Sequence, residues 1–186
     1  MINLKEKYEK EAVPAMIKKF NYRSKMAVPK IGKVIVNCGF GRMVAGKSVN
    51  DQKKIQEAVL EDMSSICGQK ALLTIGKKSI AGFKIRKGMV LGASVTLRKK
   101  RMLSFLDRLI NITLPRSRDF RGLESKSFDN SGNLTIGIKE QIIFPEIAPE
   151  NIKFMFGLEV VVVTTSKKKE EGEELLRLLG FPIKKN

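Results

Sequence analysis

The segment 41–48 is the part of the chain that most resembles a catalytic motif. It reads Gly41-Arg-Met-Val-Ala-Gly46-Lys47-Ser48 and matches the phosphate-binding pattern of glycine, four residues, glycine, lysine and serine. In such a loop backbone N–H groups cradle phosphates, the lysine reaches the outer phosphates and the serine hydroxyl holds magnesium. One hypothesis is therefore a small nucleotide-binding enzyme that uses Gly41 to Ser48.

Other features of the sequence argue against catalysis. A nucleotide hydrolase needs an acidic residue at the end of an apolar strand to position its metal ion. The apolar strands predicted below end in Asn37, Arg98, Lys139 and Thr165. The chain has no histidine and only two cysteines, which excludes imidazole bases and both His-containing and four-thiolate zinc sites. These observations make the nucleotide-binding enzyme the less favoured hypothesis and leave no candidate residues for a zinc site.

Basic residues dominate the first two thirds of the chain. The chain contains 36 Lys and Arg against 19 Asp and Glu, a net charge of +17. Residues 1–128 hold 28 basic and 10 acidic residues (+18), and residues 129–186 hold 8 and 9 (−1). The 40 residues 67–106 hold ten cations and no acid: Lys70, Lys77, Lys78, Lys84, Arg86, Lys87, Arg98, Lys99, Lys100 and Arg101. A block without counter-charges favours a polyanionic partner, above all nucleic acid.

The sequence gives no sign of export or membrane insertion. Residues 1–11 carry six charges, so they lack the uninterrupted apolar stretch of a secretory signal. The most apolar run, 160–163, is far shorter than the roughly 18 residues of a membrane span. We expect a soluble cytoplasmic protein with reduced Cys38 and Cys67, and a single domain over residues 1–186.

Hydrophobic periodicity indicates the elements that position these residues. It predicts helices from Leu4 to before Asn21, from Ser48 or Asn50 to Gly68, over 102–112 and over 170–179, and strands over 33–37, 71–75, 83–86, 90–98, 134–139 and 158–165. A glycine-containing basic loop, 76–82, and a polar loop of unusual length, 116–133, connect some of them. This order indicates an α+β fold, with helices packed on one face of a mostly antiparallel sheet.

Few aromatic residues are available for base stacking. The chain has ten Phe, two Tyr and no Trp, and most of the Phe lie in apolar stretches typical of a core. Recognition of RNA would then depend on phosphate contacts and short polar side chains, for which the candidates are Asn37, Gln69, Ser94 and Thr96. Alternatively, Asn37 serves the turn after its strand and Thr96 is an ordinary exposed strand residue.

Lys77, Lys78 and Ser79 lie between two predicted strands, with glycine on both sides of the loop. A mobile positive loop of this kind is suited to contact a second RNA, although charged hairpin loops are also ordinary solvated turns. We hypothesise that this loop binds RNA independently of the sheet.

Several long segments resemble one protein family. They are Phe20-Asn-Tyr-Arg-Ser24, Gly68-Gln-Lys70, Lys78-Ser-Ile-Ala-Gly-Phe-Lys-Ile-Arg86, Val95-Thr-Leu-Arg98, Leu114-Pro-Arg-Ser-Arg-Asp-Phe-Arg-Gly-Leu123, Ser127-Phe-Asp129 and Glu140-Gln-Ile-Ile-Phe-Pro-Glu-Ile147. In this order they are similar to the fifth protein of the bacterial-type large ribosomal subunit, the family that binds 5S ribosomal RNA. The similarity spans nearly the whole chain.

The resemblance implies a non-enzymatic protein that attaches 5S ribosomal RNA to the large subunit in the central protuberance, among large-subunit ribosomal RNA and neighbouring ribosomal proteins. It also implies contact with transfer RNA in the peptidyl site and a bridge to a protein in the head of the small subunit. By motif, Asn37, Gln69 and Thr96 fall where the family uses polar residues against 5S ribosomal RNA.

By the same matching, Lys77, Lys78 and Ser79 fall in the loop that approaches transfer RNA. The expected location is cytoplasmic and ribosome-bound, with an organellar ribosome as the alternative, and the resemblance implies no cofactor. Two alternatives remain at this point: the nucleotide-binding enzyme described above, and a basic RNA chaperone that binds structured RNA without selectivity.

Overall fold

The computed structural model describes residues 4–118 and 120–184. Asp119, within the arginine-rich motif that begins at Leu114, and the first three residues of the N-terminal segment lie outside the described residues. Five strands are described: β1 (Ile31–Gly39), β2 (Leu72–Ile75), β3 (Val90–Leu97), β4 (Leu134–Ile138) and β5 (Leu158–Thr164). They form one antiparallel sheet in the order β2-β3-β1-β5-β4, so the predicted α+β fold is confirmed.

Five helices accompany the sheet in the described residues. They are α1 (Leu4–Lys7, Tyr8–Ala12 and Val13–Phe20 in succession), α2 (Gly41–Val44), α3 (Val49–Cys67), α4 (Lys99–Arg108, Leu109–Thr113 and Leu114–Arg116 in succession) and α5 (Lys169–Leu179). The segments Tyr8–Ala12 and Leu109–Thr113 are π-helical, and each ends two residues before a proline, Pro14 or Pro115. Because proline has no N–H to bond the preceding turn, the wider π turn lets each helix continue past it.

The chain divides into two compact units. One comprises residues 1–34, 98–136 and 161–186, and the other comprises residues 35–97 and 137–160. We call them the terminal unit and the site unit, because the polar candidates Asn37, Gln69 and Thr96 and the loop that carries Lys77, Lys78 and Ser79 lie in the second. The expectation of a single domain over 1–186 stays a prediction.

In the site unit, α3 packs on β3 through the apolar stripe that the sequence predicts. Ile55, Val59, Met63 and Ile66 are all buried. Ser48 caps the start of α3, and Gly68 ends it with φ at 63°, a left-handed conformation that glycine adopts without strain. Strand β2 pairs with β3 from Leu72 opposite Ser94 to Ile75 opposite Val90, and its four residues are exposed.

In the terminal unit, ion pairs and a close glycine contact hold α5 in place. The Lys19 ammonium of α1 lies 2.8 Å from a Glu174 carboxylate oxygen of α5. Residues 129–132 form a turn at the end of the long polar loop, with Phe128 paired to Leu134 and the Asp129 carboxylate accepting the N–H groups of Ser131 and Asn133. Gly132 in this turn packs backbone to backbone against Gly172 of α5, where a Cβ would find no room.

Several predicted boundaries are wrong. Residues 83–86 do not form a strand, because Ala81–Phe83 is a 3-10 turn and Lys84 takes a left-handed φ of 53°. Strand β1 continues through Cys38 to Gly39, where a turn was expected. Helix α4 starts at Lys99 rather than 102, and Pro115 lies inside its last turn instead of closing it.

Candidate RNA interface

Asn37 and Thr96 lie on the open face of neighbouring strands. Asn37 is exposed between buried Val36 and Cys38 in β1, and Thr96 is exposed between buried neighbours in β3. Side chains alternate between the two faces of a sheet, so both project away from the core. Asn37 stands two residues before the end of β1, so the explanation that it serves a turn is wrong.

Gln69 comes to the same surface from the end of α3. Its side-chain Nε2 donates a hydrogen bond to the backbone carbonyl of Thr96 at 3.2 Å, which joins residues 27 positions apart. The chain is led there by the left-handed Gly68, which turns it from the helix toward β2. Gln69 and Thr96 are therefore brought together, and Ser94, the fourth polar candidate, is only half-buried on the same strand.

A shallow depression of about 490 Å³ lies beside Asn37 on the site unit. Its lining includes Gly39, Gly137, Lys139 and Glu159. A Cβ added to Gly39 or Gly137 would meet no atom within 4 Å, so the surface is open above the strands. The polar candidates thus stand at an accessible part of the sheet that a large partner can reach.

The segment that carries Lys77, Lys78 and Ser79 is part of a folded lobe. We call residues 76–89 the basic lobe. Gly76 N–H donates to the carbonyl of Met89 at 2.8 Å, and Gly88 N–H donates to that of Gly76 at 2.9 Å, which closes its base. The Ser79 hydroxyl accepts from the Lys87 N–H at 2.9 Å. Lys77 and Lys78 are exposed, and internal hydrogen bonds close the lobe around them.

The segment 41–48 does not form a phosphate cradle. The N–H groups of Val44, Ala45 and Lys47 donate to carbonyls within the segment and at Phe40, so they are already used by the short helix α2 and the turn after it. The Ser48 hydroxyl is bonded to Asp51 at 2.7 Å. The Lys47 ammonium lies 6.0 Å from the centre of the Phe154 ring. The match to the nucleotide-binding pattern is coincidental.

The candidate interface is surrounded by exposed basic side chains. The six Lys and Arg of residues 67–97 in the site unit are exposed: Lys70, Lys77, Lys78, Lys84, Arg86 and Lys87. Cys38, the residue after Asn37, is buried in the core. Burial raises the pKa of its thiol to about 12, so the thiol is uncharged at neutral pH. The surface can therefore bind a polyanion through many phosphate contacts while short polar side chains on the strands reach sugar and base groups.

Sequence reasoning missed one exposed residue of this surface. Phe83, placed in a strand by the sequence, stands at the 3-10 turn of the basic lobe and is 68% exposed. The glycine directly before it was the available signal, because glycine favours a turn over a strand.

Comparison with known proteins decides the family. Residues 24–86 match the family described as ribosomal protein L5, and residues 90–183 match the family described as its C-terminus. The chain belongs to the ribosomal protein L5 family. It is 52% identical to the large ribosomal subunit protein uL5 of Brevibacillus brevis over 182 residues, which is 98% of either chain.

Two further members of the L5 family are similarly close. The chain is 53% identical to the large ribosomal subunit protein uL5 of Leuconostoc citreum and 50% identical to that of Streptococcus thermophilus, each over 98% of both chains. As a structural protein of the L5 family the chain is non-enzymatic, so the nucleotide-binding enzyme is excluded and the resemblance seen in the sequence is confirmed. No described helix of this L5 protein is long and apolar enough to cross a membrane.

Proposed function

We propose that the chain is a constituent of the large ribosomal subunit, binds 5S ribosomal RNA on the open face of β1 and β3, and attaches it to the subunit in the central protuberance. The observation that carries this proposal is the arrangement of Asn37, Gln69 and Thr96. Two carboxamides and a hydroxyl stand at the open face, and one carboxamide is held in place by the Thr96 carbonyl. Such groups both donate and accept, which suits 2′-hydroxyls and base edges of structured RNA.

The surrounding charge supports the same proposal. The exposed cations of residues 67–97 in the site unit would supply phosphate contacts that hold the RNA without reading its sequence. The polar side chains then provide selectivity. This division separates a dedicated 5S ribosomal RNA protein from a non-specific RNA chaperone, which would rely on charge alone.

A salt titration of RNA binding tests the open face. We expect the full chain to prefer 5S ribosomal RNA over a size-matched unrelated structured RNA, with the preference persisting near physiological salt. Asn37→Ala, Gln69→Ala and Thr96→Ala should each weaken 5S binding by about 1 kcal/mol, roughly fivefold in Kd, because each removes a hydrogen bond. Asn111→Ala is the matched control, since Asn111 is exposed on α4 and bonded to Asp107.

Two results would contradict the proposed open-face site. Equal affinities for both RNAs that fall together with salt would mean that the charge acts alone, as in a chaperone. Losses in the three variants no larger than that of Asn111→Ala would remove these residues from the interface.

The basic lobe is the part of the protein that we propose for peptidyl-site transfer RNA. Lys77, Lys78 and Ser79 lie together on its exposed surface, and hydrogen bonds at its base hold the lobe in shape. The bridge to a protein in the head of the small subunit belongs to the same ribosome-bound proposal and rests on the family resemblance.

Ribosomes carrying the Lys77→Ala/Lys78→Ala double variant test the lobe. They should retain 5S ribosomal RNA but bind peptidyl-site transfer RNA more weakly, with a salt slope lower by about one for each lost phosphate contact. Lys53→Ala/Lys54→Ala is a control of equal charge change on α3, where both lysines are exposed. Loss of 5S ribosomal RNA, or transfer RNA affinity equal to that of the control, would refute independent binding by the lobe.

A further inference from the structure

The basic lobe presents one large aromatic side chain to solvent. Phe83 is 68% exposed, and Ile80 at the start of the same turn is 47% exposed. The ring thus contributes little to the core of the site unit. Exposed aromatic rings beside exposed cations are the combination that proteins use to bind single-stranded nucleic acid.

Backbone hydrogen bonds hold the turn that carries this ring. Ile80 and Ile85 exchange both of their backbone hydrogen bonds, at 3.0 and 3.2 Å, and the Lys84 N–H donates to the carbonyl of Ala81 at 3.0 Å. Lys84 takes the left-handed conformation that closes the turn. Because the backbone is already ordered, little conformational entropy remains to be lost when a partner covers the ring.

The surroundings of the ring match the chemistry of RNA. The lobe contains five cations and no acidic residue: Lys77, Lys78, Lys84, Arg86 and Lys87. A Cβ added to Gly82, next to the ring, would meet no atom within 4 Å, so a flat group has room to approach. Single-stranded segments of RNA offer both parts of the complement, phosphates for the cations and the face of a base for the ring.

We propose that Phe83 is a stacking platform on which an unpaired or terminal base of the lobe's RNA rests. This rests on the proposed function, since it takes RNA as the partner of the lobe. The lysines would attract and hold the backbone, and the ring would fix the position of one base. Neither role requires a particular base, because every base has a π-face.

Three substitutions at Phe83 separate stacking from simple apolar contact. In ribosomes carrying the variants, Phe83→Ala and Phe83→Leu should each weaken peptidyl-site transfer RNA binding about 5- to 150-fold, and Phe83→Tyr should bind like the wild type. Stacking releases no counterions, so the Phe83 variants should keep the wild-type salt slope while Lys77→Ala/Lys78→Ala lowers it. Wild-type affinity in Phe83→Leu would overturn the stacking role.

The absence of tryptophan from the sequence provides a direct optical test. In the free full-length chain, Phe83→Trp creates a single tryptophan at the turn, which can be excited selectively over the two tyrosines. Titration with a transfer RNA transcript at low salt should quench its emission, because a stacked base lies against the indole. Met155→Trp is the control, since Met155 is 57% exposed in the site unit but outside the lobe.

The outcomes distinguish this proposal from the one on which it rests. Unquenched emission at position 83 while a filter assay shows bound RNA, together with a normal Phe83→Leu, overturns stacking and leaves RNA binding by the lysines intact. If the double lysine variant is also normal, the lobe does not bind transfer RNA at all. Emission that responds to anionic phospholipid vesicles but not to RNA would assign the ring to a lipid surface and overturn the proposal.

Discussion

At the scale of single residues, alternate positions of β1 have opposite environments. Asn37 faces solvent on the open side of the strand, and the next residue, Cys38, is 2% exposed. Two consecutive residues of one strand therefore belong to different surroundings, one to the candidate RNA surface and the other to the core. The same alternation explains why Thr96 is exposed while Val95 and Leu97 are buried.

Burial of Cys38 makes stability depend on pH in the alkaline range. Desolvation raises the pKa of its thiol from 9.0 to about 12. The folded protein keeps this proton while the unfolded chain loses it, so the free energy of unfolding falls as pH rises through the unfolded pKa toward the folded one. Between pH 8 and pH 10, wild type should lose about 1.4 kcal/mol more stability than Cys38→Ala.

Urea unfolding of both proteins at the two pH values measures this difference. Only the change with pH is compared, because Cys38→Ala also leaves a small cavity that lowers stability at every pH. Equal losses in the two proteins would show that the thiol ionises as readily in the folded state as in the unfolded chain.

At the scale of elements, the end points of α3 place the site. Its N-terminus is set by Ser48, whose hydroxyl oxygen accepts the Asp51 N–H at 3.3 Å. Its C-terminus at Gly68 delivers Gln69 to the Thr96 carbonyl. A serine that the sequence pattern assigns to magnesium is thus a helix cap, and the helix that it begins positions a proposed RNA contact.

Ser48→Ala should lower the free energy of unfolding by about 1 kcal/mol, because the first turn of α3 loses its capping hydrogen bond. Thermal or urea denaturation measures the change, and Ser48→Thr should recover most of it. Ser65→Ala on the same helix is the control, since the Ser65 hydroxyl donates to the Glu61 carbonyl of the preceding turn and caps no helix end. A neutral Ser48→Ala would mean that α3 does not depend on this cap.

At the scale of the whole molecule, some basic side chains form ion pairs and others are exposed to solvent. In the terminal unit, Arg177 of α5 is paired with Glu173 at 2.8 Å and with Glu174 at 3.0 Å, contacts that join neighbouring turns of the helix. The cations of residues 67–97 in the site unit, by comparison, are exposed. A net charge of +17 makes RNA affinity depend strongly on salt, so only selectivity measured at matched salt identifies the polar residues as the reading groups.

Local sequence is enough to indicate the kind of partner, the family and most of the elements. A cation block without acids indicates a polyanionic partner, and the family motifs point to a ribosomal, non-enzymatic protein. The apolar stripe of α3 and the left-handed Gly68 were predictable because both depend on residues close together in the chain.

The assembly of the site depends on contacts between residues that are far apart in the chain. The bond from Gln69 to Thr96 and the open position of Asn37 depend on strand order and on residues far apart in sequence, which local periodicity does not contain. The 3-10 turn that exposes Phe83 forms where propensity predicts a strand, because hydrogen bonds across the lobe stabilise the turn. The amides of 41–48 match a phosphate loop in sequence, yet the fold uses them in a helical turn, so chain geometry overrides the pattern.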